Sequence, residues 1–434
     1  MSANGPNCGR ARKEHDMTSQ SPIWHPFTQH ALQPVMTKIA RSEGAWLETE
    51  DGRRIYDGIA SWWVITHGHN HPPIMEAIRA QAGVLDQLIF AGFTHGPAEE
   101  VARRLVEIAP DGLAHVFFSD SGSTSIEVAL KMALGFFVHR GEKRTRVVAL
   151  EHAYHGDTIG CMSVGARGVF NDPYGPLLFE VERIPYPAPG REQEAFDAFE
   201  AVCRRDPPAA IIVEPLILGS GGMLFYTPAA LRELHRIAKA YGVLFIADEV
   251  MTGFGRTGTL FACEQAGIAP DIMCLAKGLT GGVIPLAVTL ATHEIFEAHY
   301  SPDRARMFFH SSSFTANPIA CAAAAANLRV WRDEPVRERI AGLVAAQAER
   351  VARLKDHAGF ADARSLGTIA AMDLRVKDAG YLAGIAQKLM EFFLSRGLLL
   401  RPLGNTVYIM PPYCTTPSEL DVVYAAIEEA AALV

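Results

Sequence analysis

Residues 242–282 read GVLFIADEVMTGFGRTGTLFACEQAGIAPDIMCLAKGLTGG, and two apolar runs within this stretch decide the fold class. GVLFIA at 242–247 and DIMCLA at 271–276 are short runs of the kind that form strands buried on both faces of a parallel sheet. Asp248 directly follows the first run, and Lys277 directly follows the second. Because ligands bind at the carboxyl ends of parallel strands, we expect this acid and this amine to face one crevice.

An acid and an amine in one crevice form the pair that pyridoxal 5′-phosphate (PLP) requires in an enzyme. A lysine forms a Schiff base with this cofactor, and a carboxylate keeps its pyridinium nitrogen protonated. Asp248 and Lys277 are therefore candidate catalytic and cofactor-binding residues. A structural ion pair is the alternative interpretation, since a buried carboxylate is costly unless it is paired.

Similar apolar runs lie on either side of this stretch, with amphipathic patterns between them. Further strands are predicted at 115–119, 146–150, 209–213 and 285–292. Helices are predicted at 72–90, 97–109 and 317–331. This alternation predicts an α/β fold with a mainly parallel sheet and helices on both faces. After residue 331 the pattern changes to a charged helix, a short sheet region and another helix, which predicts a smaller α+β domain.

The composition limits the classes of function. The chain has 434 residues, of which 49% are apolar and 20% charged, as in an ordinary globular protein of more than one domain. A net charge of −8 offers no basic surface for nucleic acid, and no apolar run reaches the ~18 residues of a membrane span. The seven cysteines are scattered without a C-x-x-C pair, which indicates reduced thiols and predicts a cytoplasmic protein.

The first residues and one histidine cluster are the segments most easily misinterpreted. Residues 1–20 are polar and lack the apolar core of a secretory signal, so we predict a flexible extension, with Met17 as an alternative start to Met1. The histidines of HGHNHP at 67–72 alternate, as metal ligands on a strand would. Glycine, asparagine and proline make this segment a loop with no carboxylate nearby, and no metal site is predicted.

Two further motifs could contact a phosphorylated heterocycle. In SDSGSTSIE at 119–127 a strand passes directly into a helix, whose free N–H groups suit an anion, so Gly122 and Ser123 are candidate phosphate contacts. An ordinary helix cap is the alternative. In EHAYHGDT at 151–158, Tyr154 follows a strand and could stack on a flat ring, the alternative being a loop aromatic packed on the core.

One motif suggests a different cofactor. Gly253-Phe-Gly255-Arg-Thr-Gly258 matches the glycine pattern of dinucleotide-binding proteins. That fingerprint also requires a helix that opens inside the motif and an acid that ends the second strand, and neither is present. Dinucleotide binding remains the alternative enzyme class. We interpret Arg256 in this loop as a residue that positions a substrate or the loop itself.

Taken together, these motifs resemble the class III PLP-dependent aminotransferases of fold type I. The order is SGS at 121–123, YHGD at 154–157, Glu214–Pro215, ADEVMTGFGRTG at 247–258 and CLAKGLTGG at 274–282. The resemblance runs from about Trp24 to Pro412. It is strongest to the branch that aminates 8-amino-7-oxononanoate in biotin biosynthesis with S-adenosylmethionine as amino donor. The segments that match this branch are WHPFTQ at 24–29, SWW at 61–63, HGHNHP at 67–72 and YIMPPY at 408–413.

The resemblance implies a role for each candidate residue. Lys277 would bond the cofactor and shuttle the proton, Asp248 would hold the pyridinium nitrogen, and Tyr154 would stack on the ring. Gly122 and Ser123 would bind the phosphate. Trp62 and Trp63 would form walls of the substrate pocket, the alternative being two core residues. Arg401 would clamp a substrate carboxylate with two hydrogen bonds. Arg256 is the further candidate for substrate binding, from its place in the glycine loop.

Two segments depart from the pattern of the family. Phe27 stands where the family often has tyrosine, which removes a hydroxyl near the substrate. Ser311, Ser312 and Ser313 replace a common Gly-Pro-Thr, whose threonine reaches the phosphate of the neighbouring subunit's cofactor. We expect Ser313 to keep that phosphate contact, and Ser311 and Ser312 to border the substrate. Both departures leave the amino donor open: S-adenosylmethionine, lysine, or the ω-amine of an ω-amine or ω-amino acid:pyruvate transaminase.

The resemblance also implies the organisation of the chain. A large PLP-binding domain would span residues 60–330, and a small domain would combine residues 21–59 with residues 331–434. The family forms homodimers with each site at the interface. A PLP-fold protein that has lost catalysis would be a different class of function, and the presence of both Lys277 and Asp248 argues against it.

Overall fold

The computed structural model describes residues 21–376 and 384–432. The predicted extension, residues 1–20, lies outside the described residues. So does the start of a helix predicted at 380–396, which the structure describes from Ile385 to Ser395.

The central sheet has seven strands within the described residues, and it confirms the α/β prediction. In spatial order the strands are Leu113–Ser119, Ala287–Thr292, Ile272–Leu275, Leu244–Asp248, Ala210–Val213, Val147–Leu150 and Glu182–Ile184. Six strands run parallel, and Ala287–Thr292 is antiparallel to both of its neighbours. Most residues of the central strands are fully buried, as expected for runs without polar alternation.

The register of two central strands positions the candidate catalytic pair. Asp248 at the end of one strand pairs with Cys274 on the next, three residues before Lys277. The acid and the amine therefore leave the sheet at the same edge, as the apolar runs predict.

Helices cover both faces of this sheet. They are Pro72–Ala82, Gly96–Ile108, Gly122–His139, Ile159–Val164, Glu192–Arg205, Pro228–Ala240, Ala262–Ala266, His293–His299 and Pro318–Asp333, with short 3₁₀ turns at Asp172–Leu177, Lys277–Thr280 and Arg304–Arg306. The helix predicted at 72–90 ends earlier, because Gly83 caps it. None of the helices in the described part of the chain is long and apolar enough to cross a bilayer.

N-terminal and C-terminal segments of the described chain meet in one of the remaining sheets. Ile39–Glu43, Trp46–Thr49 and Arg54–Asp57 form an antiparallel sheet, and Leu398–Leu399 adds to it parallel to Arg54–Asp57. A second antiparallel sheet contains Phe360–Leu366, Ile369–Leu374 and Thr406–Ile409. The helices Val336–Leu354, Ile385–Ser395 and Pro417–Ala431 accompany them, and Ile217–Leu218 pairs with Leu224–Phe225 in a small hairpin. The predicted domain bounds stay a prediction.

One short segment has an unusual backbone. Ala60, Ser61, Trp62 and Trp63 have φ values of 49°, 47°, 71° and 73°, which makes Ala60–Trp63 a left-handed turn. This conformation costs non-glycine residues roughly 1–2 kcal/mol each. Without glycine, the sequence contains no signal for it.

Candidate active site

A cavity of about 390 Å³ lies at the carboxyl edge of the central sheet, and we call it the inner cavity. The residues that line it and come from the candidate motifs are Trp63, Gly122, Ser123, Tyr154, Asp248 and Lys277. Five separate segments of the sequence thus meet at one place, as expected for ligand sites in α/β sheets.

Lys277 begins a 3₁₀ turn in a left-handed conformation, with φ of 48°. The buried amide of Asn327 holds this turn: its Nδ2 donates to the carbonyls of Gly278 at 2.9 Å and Leu279 at 3.0 Å. The Lys277 amine lies 4.8 Å from the centre of the Trp63 ring. Burial lowers the pKa of Lys277 from 10.5 to about 8, against the opposing charge of Asp248. A large fraction of this amine is therefore neutral near pH 8 and able to act as a nucleophile or base.

Asp248 is buried beside His155. The Nδ1–H of His155 donates to Asp248 Oδ2 at 2.7 Å, and the backbone N–H of Val250 donates to Asp248 Oδ1 at 3.1 Å. Among the described residues, His155 Nε2 is buried without a hydrogen-bond partner. These contacts fix the carboxylate at the cavity wall, where it can hold a positively charged ring nitrogen.

A second carboxylate lies close to this pair. Glu214 is buried and accepts hydrogen bonds from the backbone N–H groups of Tyr154 at 2.9 Å and Gly219 at 3.1 Å. Burial raises the pKa of Glu214 to about 7, although the nearby His155 opposes this shift. Glu214 thus positions the loop that carries Tyr154 and adds negative charge near Lys277.

The part of the inner cavity that Gly122 and Ser123 line suits a phosphate. Ser121 caps the helix Gly122–His139, whose first N–H groups point out of the helix. A Cβ on Gly122 would lie 2.6 Å from Val250 Cγ1, and one on Gly156 would overlap Ser123 Oγ. The two glycines therefore leave room close to the helix N-terminus that other residues would fill.

A second cavity, of about 380 Å³, shares Trp63, Tyr154 and Lys277 with the first, and we call it the outer cavity. Trp62 and Phe27 form an aromatic wall, with ring centres 5.5 Å apart. The Arg401 guanidinium lies 5.1 Å from the centre of the Trp62 ring, and its Nη2 donates to the carbonyl of Phe27 at 2.8 Å. This cavity combines aromatic surface with a cation, which suits a carboxylate at the end of an apolar chain.

Tyr154 lines both cavities. Burial, together with Asp157, raises the pKa of its hydroxyl above the ordinary value of 10.0, so Tyr154 is a neutral donor. The structure also shows neighbours that the sequence analysis did not assign, namely His155, Asp157, Phe170, Val250 and Asn327. Asp157 and Phe170 line the outer cavity. The only signal for His155 and Asp157 was their place in the YHGD motif, and Asn327 lies in a helix without a motif.

Arg256 does not line either cavity. It is fully enclosed, donates to the carbonyls of Ile65 and Pro411 at 2.8 Å each, and approaches that of Trp63 at 3.3 Å. Burial lowers the pKa of Arg256. The structure thus places Arg256 beneath the Trp63 segment as a support for the backbone, which agrees with the second of its two predicted roles. Its role in positioning a substrate stays a prediction.

The serine segment does not line either cavity, but it is bonded to Asp120, a residue that lines the inner cavity. Ser312 Oγ donates to Asp120, and the carbonyl of Ser313 accepts from Gln87 Nε2 at 2.5 Å. Ser311 and Ser313 are exposed. Within the single chain, Ser312 thus reaches the wall of the inner cavity through Asp120, and the predicted roles of Ser311, Ser312 and Ser313 stay predictions.

Comparison with known proteins identifies the family. The family model described as aminotransferase class-III matches residues 27–431, and the chain belongs to this family. A curated relative from Synechococcus elongatus, named adenosylmethionine-8-amino-7-oxononanoate aminotransferase, is 47% identical over 95% of this chain and 99% of its own length. A protein of the same name from Methanocaldococcus jannaschii has a crystal structure with a TM-score of 0.91 and 33% identity, over 95% of this chain and 97% of that one. A PLP-bound amine transaminase from an uncultivated Pseudomonas species gives a TM-score of 0.90 and 32% identity, over 95% and 99%.

Proposed function

We propose that this chain is a PLP-dependent transaminase that converts 8-amino-7-oxononanoate into 7,8-diaminononanoate in biotin biosynthesis, with S-adenosylmethionine as amino donor. One observation carries the proposal: Lys277 lines both the inner cavity, where a helix N-terminus suits a phosphate, and the outer cavity, which has an aromatic wall and an arginine. The name shared by the relatives from S. elongatus and M. jannaschii supports this choice of substrates.

The inner cavity fits PLP. Its lining offers a buried carboxylate for a ring nitrogen, a primary amine with a lowered pKa, and a helix N-terminus that glycines keep open for a phosphate. PLP, when bound, supplies a carbonyl that receives the amino group and a ring that withdraws electrons from the neighbouring carbon. Asp248 would hold the ring nitrogen, Lys277 would bind the carbonyl carbon, and Ser123 and Gly122 would hold the phosphate.

The residues of this chain supply the proton transfer. With a pKa of about 8, the Lys277 amine can take a proton from the carbon that bears the amino group and return it at the end of the transfer. The Trp63 indole, 4.8 Å from this amine, keeps that position partly free of water. Tyr154, which lines both cavities, can donate a hydrogen bond where substrate and cofactor meet.

The outer cavity supplies substrate recognition. Both S-adenosylmethionine and 8-amino-7-oxononanoate carry a carboxylate that Arg401 could bind. The exposed face of Trp62 also suits a sulfonium cation. Phe27 contributes apolar surface, so the wall offers no hydroxyl at that position.

The test follows single half-reactions of the purified PLP-loaded protein through the absorbance of the bound cofactor. S-adenosylmethionine, lysine and a simple ω-amine are added separately, and diaminononanoate serves as the reverse-direction substrate. We expect rapid conversion by S-adenosylmethionine and diaminononanoate, and none in Lys277→Ala. Conversion by lysine in place of S-adenosylmethionine would change the donor and keep the pathway. Response only to the ω-amine would overturn the proposal in favour of an ω-amine transaminase. The amine transaminase structure from the Pseudomonas species, to which this chain is similar, is the reason for including that substrate.

We further propose a homodimer with each site completed at the interface. An apolar patch, which we call the aromatic face, is exposed on two neighbouring segments: Ile89 and Phe93 on one, Phe309 and Phe314 on the other. The Gln87–Ser313 hydrogen bond joins these segments. Exposed apolar side chains on neighbouring segments are typical of protein interfaces. By the resemblance to the family, a second copy bound here would bring Ser313 toward the neighbouring cofactor.

The proposed location is the cytoplasm. Cys161, Cys203, Cys263, Cys274 and Cys321 are buried as free thiols, and Cys414 is an exposed free thiol. Free thiols in this number support a reducing compartment.

A further inference from the structure

The left-handed turn Ala60–Trp63 determines the shape of the outer cavity. In a strand, two adjacent side chains would point to opposite faces. Here Trp62 and Trp63 both line the outer cavity, although they are neighbours in sequence. The turn closes with hydrogen bonds from Trp63 N to Ile59 O at 2.8 Å and from Val64 N to Ala60 O at 2.9 Å.

A buried carboxylate lies at the start of this turn. Asp57 has no exposed surface and accepts three hydrogen bonds. Ser61 donates its backbone N–H at 2.8 Å and its hydroxyl at 2.7 Å, and His69 Nε2 donates at 2.8 Å. Ser61 is one of the four left-handed residues, so Asp57 binds the turn where the backbone conformation is unfavourable for a residue other than glycine. His69 comes from the HGHNHP motif, to which the reaction itself assigns no role.

The strand Arg54–Asp57 also pairs with the strand that precedes Arg401, a residue on another wall of the outer cavity. Asp57 pairs in parallel register with Leu399, two residues before Arg401. Arg401 in turn covers the Trp62 ring. At the far end of the turn, Arg256 binds the carbonyl of Ile65. The buried side chains of Asp57 and Arg256 thus hold the two ends of the segment that carries Trp62 and Trp63.

We propose that Asp57, supported by His69, is the positioning residue that sets the substrate range of the outer cavity. It holds Ser61 in the left-handed conformation and so keeps the Trp62 face beneath Arg401. This inference rests on the proposed function, since it takes the outer cavity as the place where the carboxylate substrates bind. Asp57 itself touches neither cavity.

The test compares substrates that must fill the outer cavity with a reagent that need not. Half-reactions with diaminononanoate and S-adenosylmethionine report the fit against Trp62. Hydroxylamine is small enough to reach PLP on Lys277 without that wall. In Asp57→Ala we expect the KM of both substrates to rise by about tenfold or more, with the PLP absorbance and the hydroxylamine rate unchanged.

Two variants keep the test decisive if Asp57→Ala folds poorly. Asp57→Asn keeps one acceptor for the Ser61 N–H, so we expect a smaller rise in KM. Adding Ser61→Gly to either variant should restore KM, because glycine adopts the left-handed conformation without strain. Asp271→Asn is the matched control, since Asp271 is also buried and accepts a backbone N–H, from Phe245 at 2.8 Å, but it lines neither cavity.

The outcomes separate this inference from the proposed function. Equal losses with the substrates and with hydroxylamine would overturn it, since Asp57 would then only stabilise the fold. An unchanged KM in Asp57→Ala would overturn it as well. If the wild-type protein responds to neither substrate, the proposed function itself fails before any variant is compared.

Discussion

Two carboxylates lie near the Lys277 amine, and they oppose the effect of burial on its pKa. Burial lowers the pKa of Lys277 to about 8, while Asp248 and Glu214 oppose the shift. Only a neutral amine attacks the carbonyl of PLP. In the protein without cofactor, we therefore expect the rate of PLP uptake to rise with pH and to reach half of its maximum near pH 8.

Variants at two glutamates test this assignment. Glu214→Gln removes a charge that raises the pKa of Lys277, so the midpoint of the uptake rate should move to lower pH. Glu249→Gln is the matched control, because Glu249 is also buried but is not among the charges that raise the pKa of Lys277. Its carboxylate accepts hydrogen bonds from Thr252 and from the backbone N–H groups of Ala262 and Cys263. A midpoint above pH 10, or an equal shift in both variants, would contradict the prediction. Stopped-flow absorbance after mixing with PLP gives the rates.

Arg401 provides the charge in the outer cavity. In Arg401→Ala we expect weaker binding of carboxylate substrates by about 2 kcal/mol, the usual size of a hydrogen bond to a charged group. Arg401→Lys should recover only part of this loss, since lysine cannot bind a carboxylate with two parallel bonds. The measurement is the KM of each half-reaction, with the hydroxylamine rate as the control. If hydroxylamine slows to the same degree, Arg401 acts on the cofactor and not on the substrate.

At the scale of elements, the proposed phosphate site at Gly122 and Ser123 depends on a loop that packs closely against a helix. Gly156 has φ of 126°, and a Cβ there would overlap Ser123 Oγ on the first turn of the helix Gly122–His139. Gly156→Ala should therefore displace Ser123 and weaken PLP binding by about tenfold or more. Pyridoxal, which lacks the phosphate, should lose much less.

Titration of the cofactor absorbance measures both affinities. Gly342→Ala is the control, because a Cβ there meets no atom within 4 Å and the residue lies in the helix Val336–Leu354. Equal losses for PLP and pyridoxal would mean that the loop shapes the ring position and not the phosphate site.

Six of the seven described strands of the central sheet could be predicted from the sequence, because burial leaves apolar runs, as at 242–247 and 271–276. The edge strand Glu182–Ile184 could not, because it has only three residues and two of them are charged. The position of Asp248 and Lys277 at one edge follows from the same runs. The turn Ala60–Trp63 could not be predicted, because its left-handed backbone depends on Asp57 and on packing, and no glycine marks it. Arg256 shows the converse: its motif is visible in the sequence, but only the fold shows that its guanidinium is enclosed.

At the scale of the whole molecule, the aromatic face is an exposed apolar surface without a function inside one chain. A second copy that covers Ile89, Phe93, Phe309 and Phe314 would remove this surface from water. Phe314→Glu should therefore give a monomer with little activity, since a charge at the centre of an apolar interface is costly.

Light scattering and sedimentation measure the assembly. Val422→Glu is the matched control, because Val422 is similarly exposed on the helix Pro417–Ala431, away from the two segments of the aromatic face. A fully active monomer would show that each site is complete in one chain, and that Ser313 serves no neighbouring cofactor.

The pairing of Arg54–Asp57 with Leu398–Leu399 has a consequence for biosynthesis. Arg54–Asp57 is synthesised early, and Leu398–Leu399 follows about 340 residues later. At usual rates of translation this interval is roughly half a minute. During that interval the nascent chain can assemble the edge of the central sheet that carries Asp248 and Lys277, while the wall around Trp62 still lacks Arg401. The wall that we propose for substrate selection can therefore form only after Leu398–Leu399 and Arg401 have been synthesised, well after the strands that carry Asp248 and Lys277.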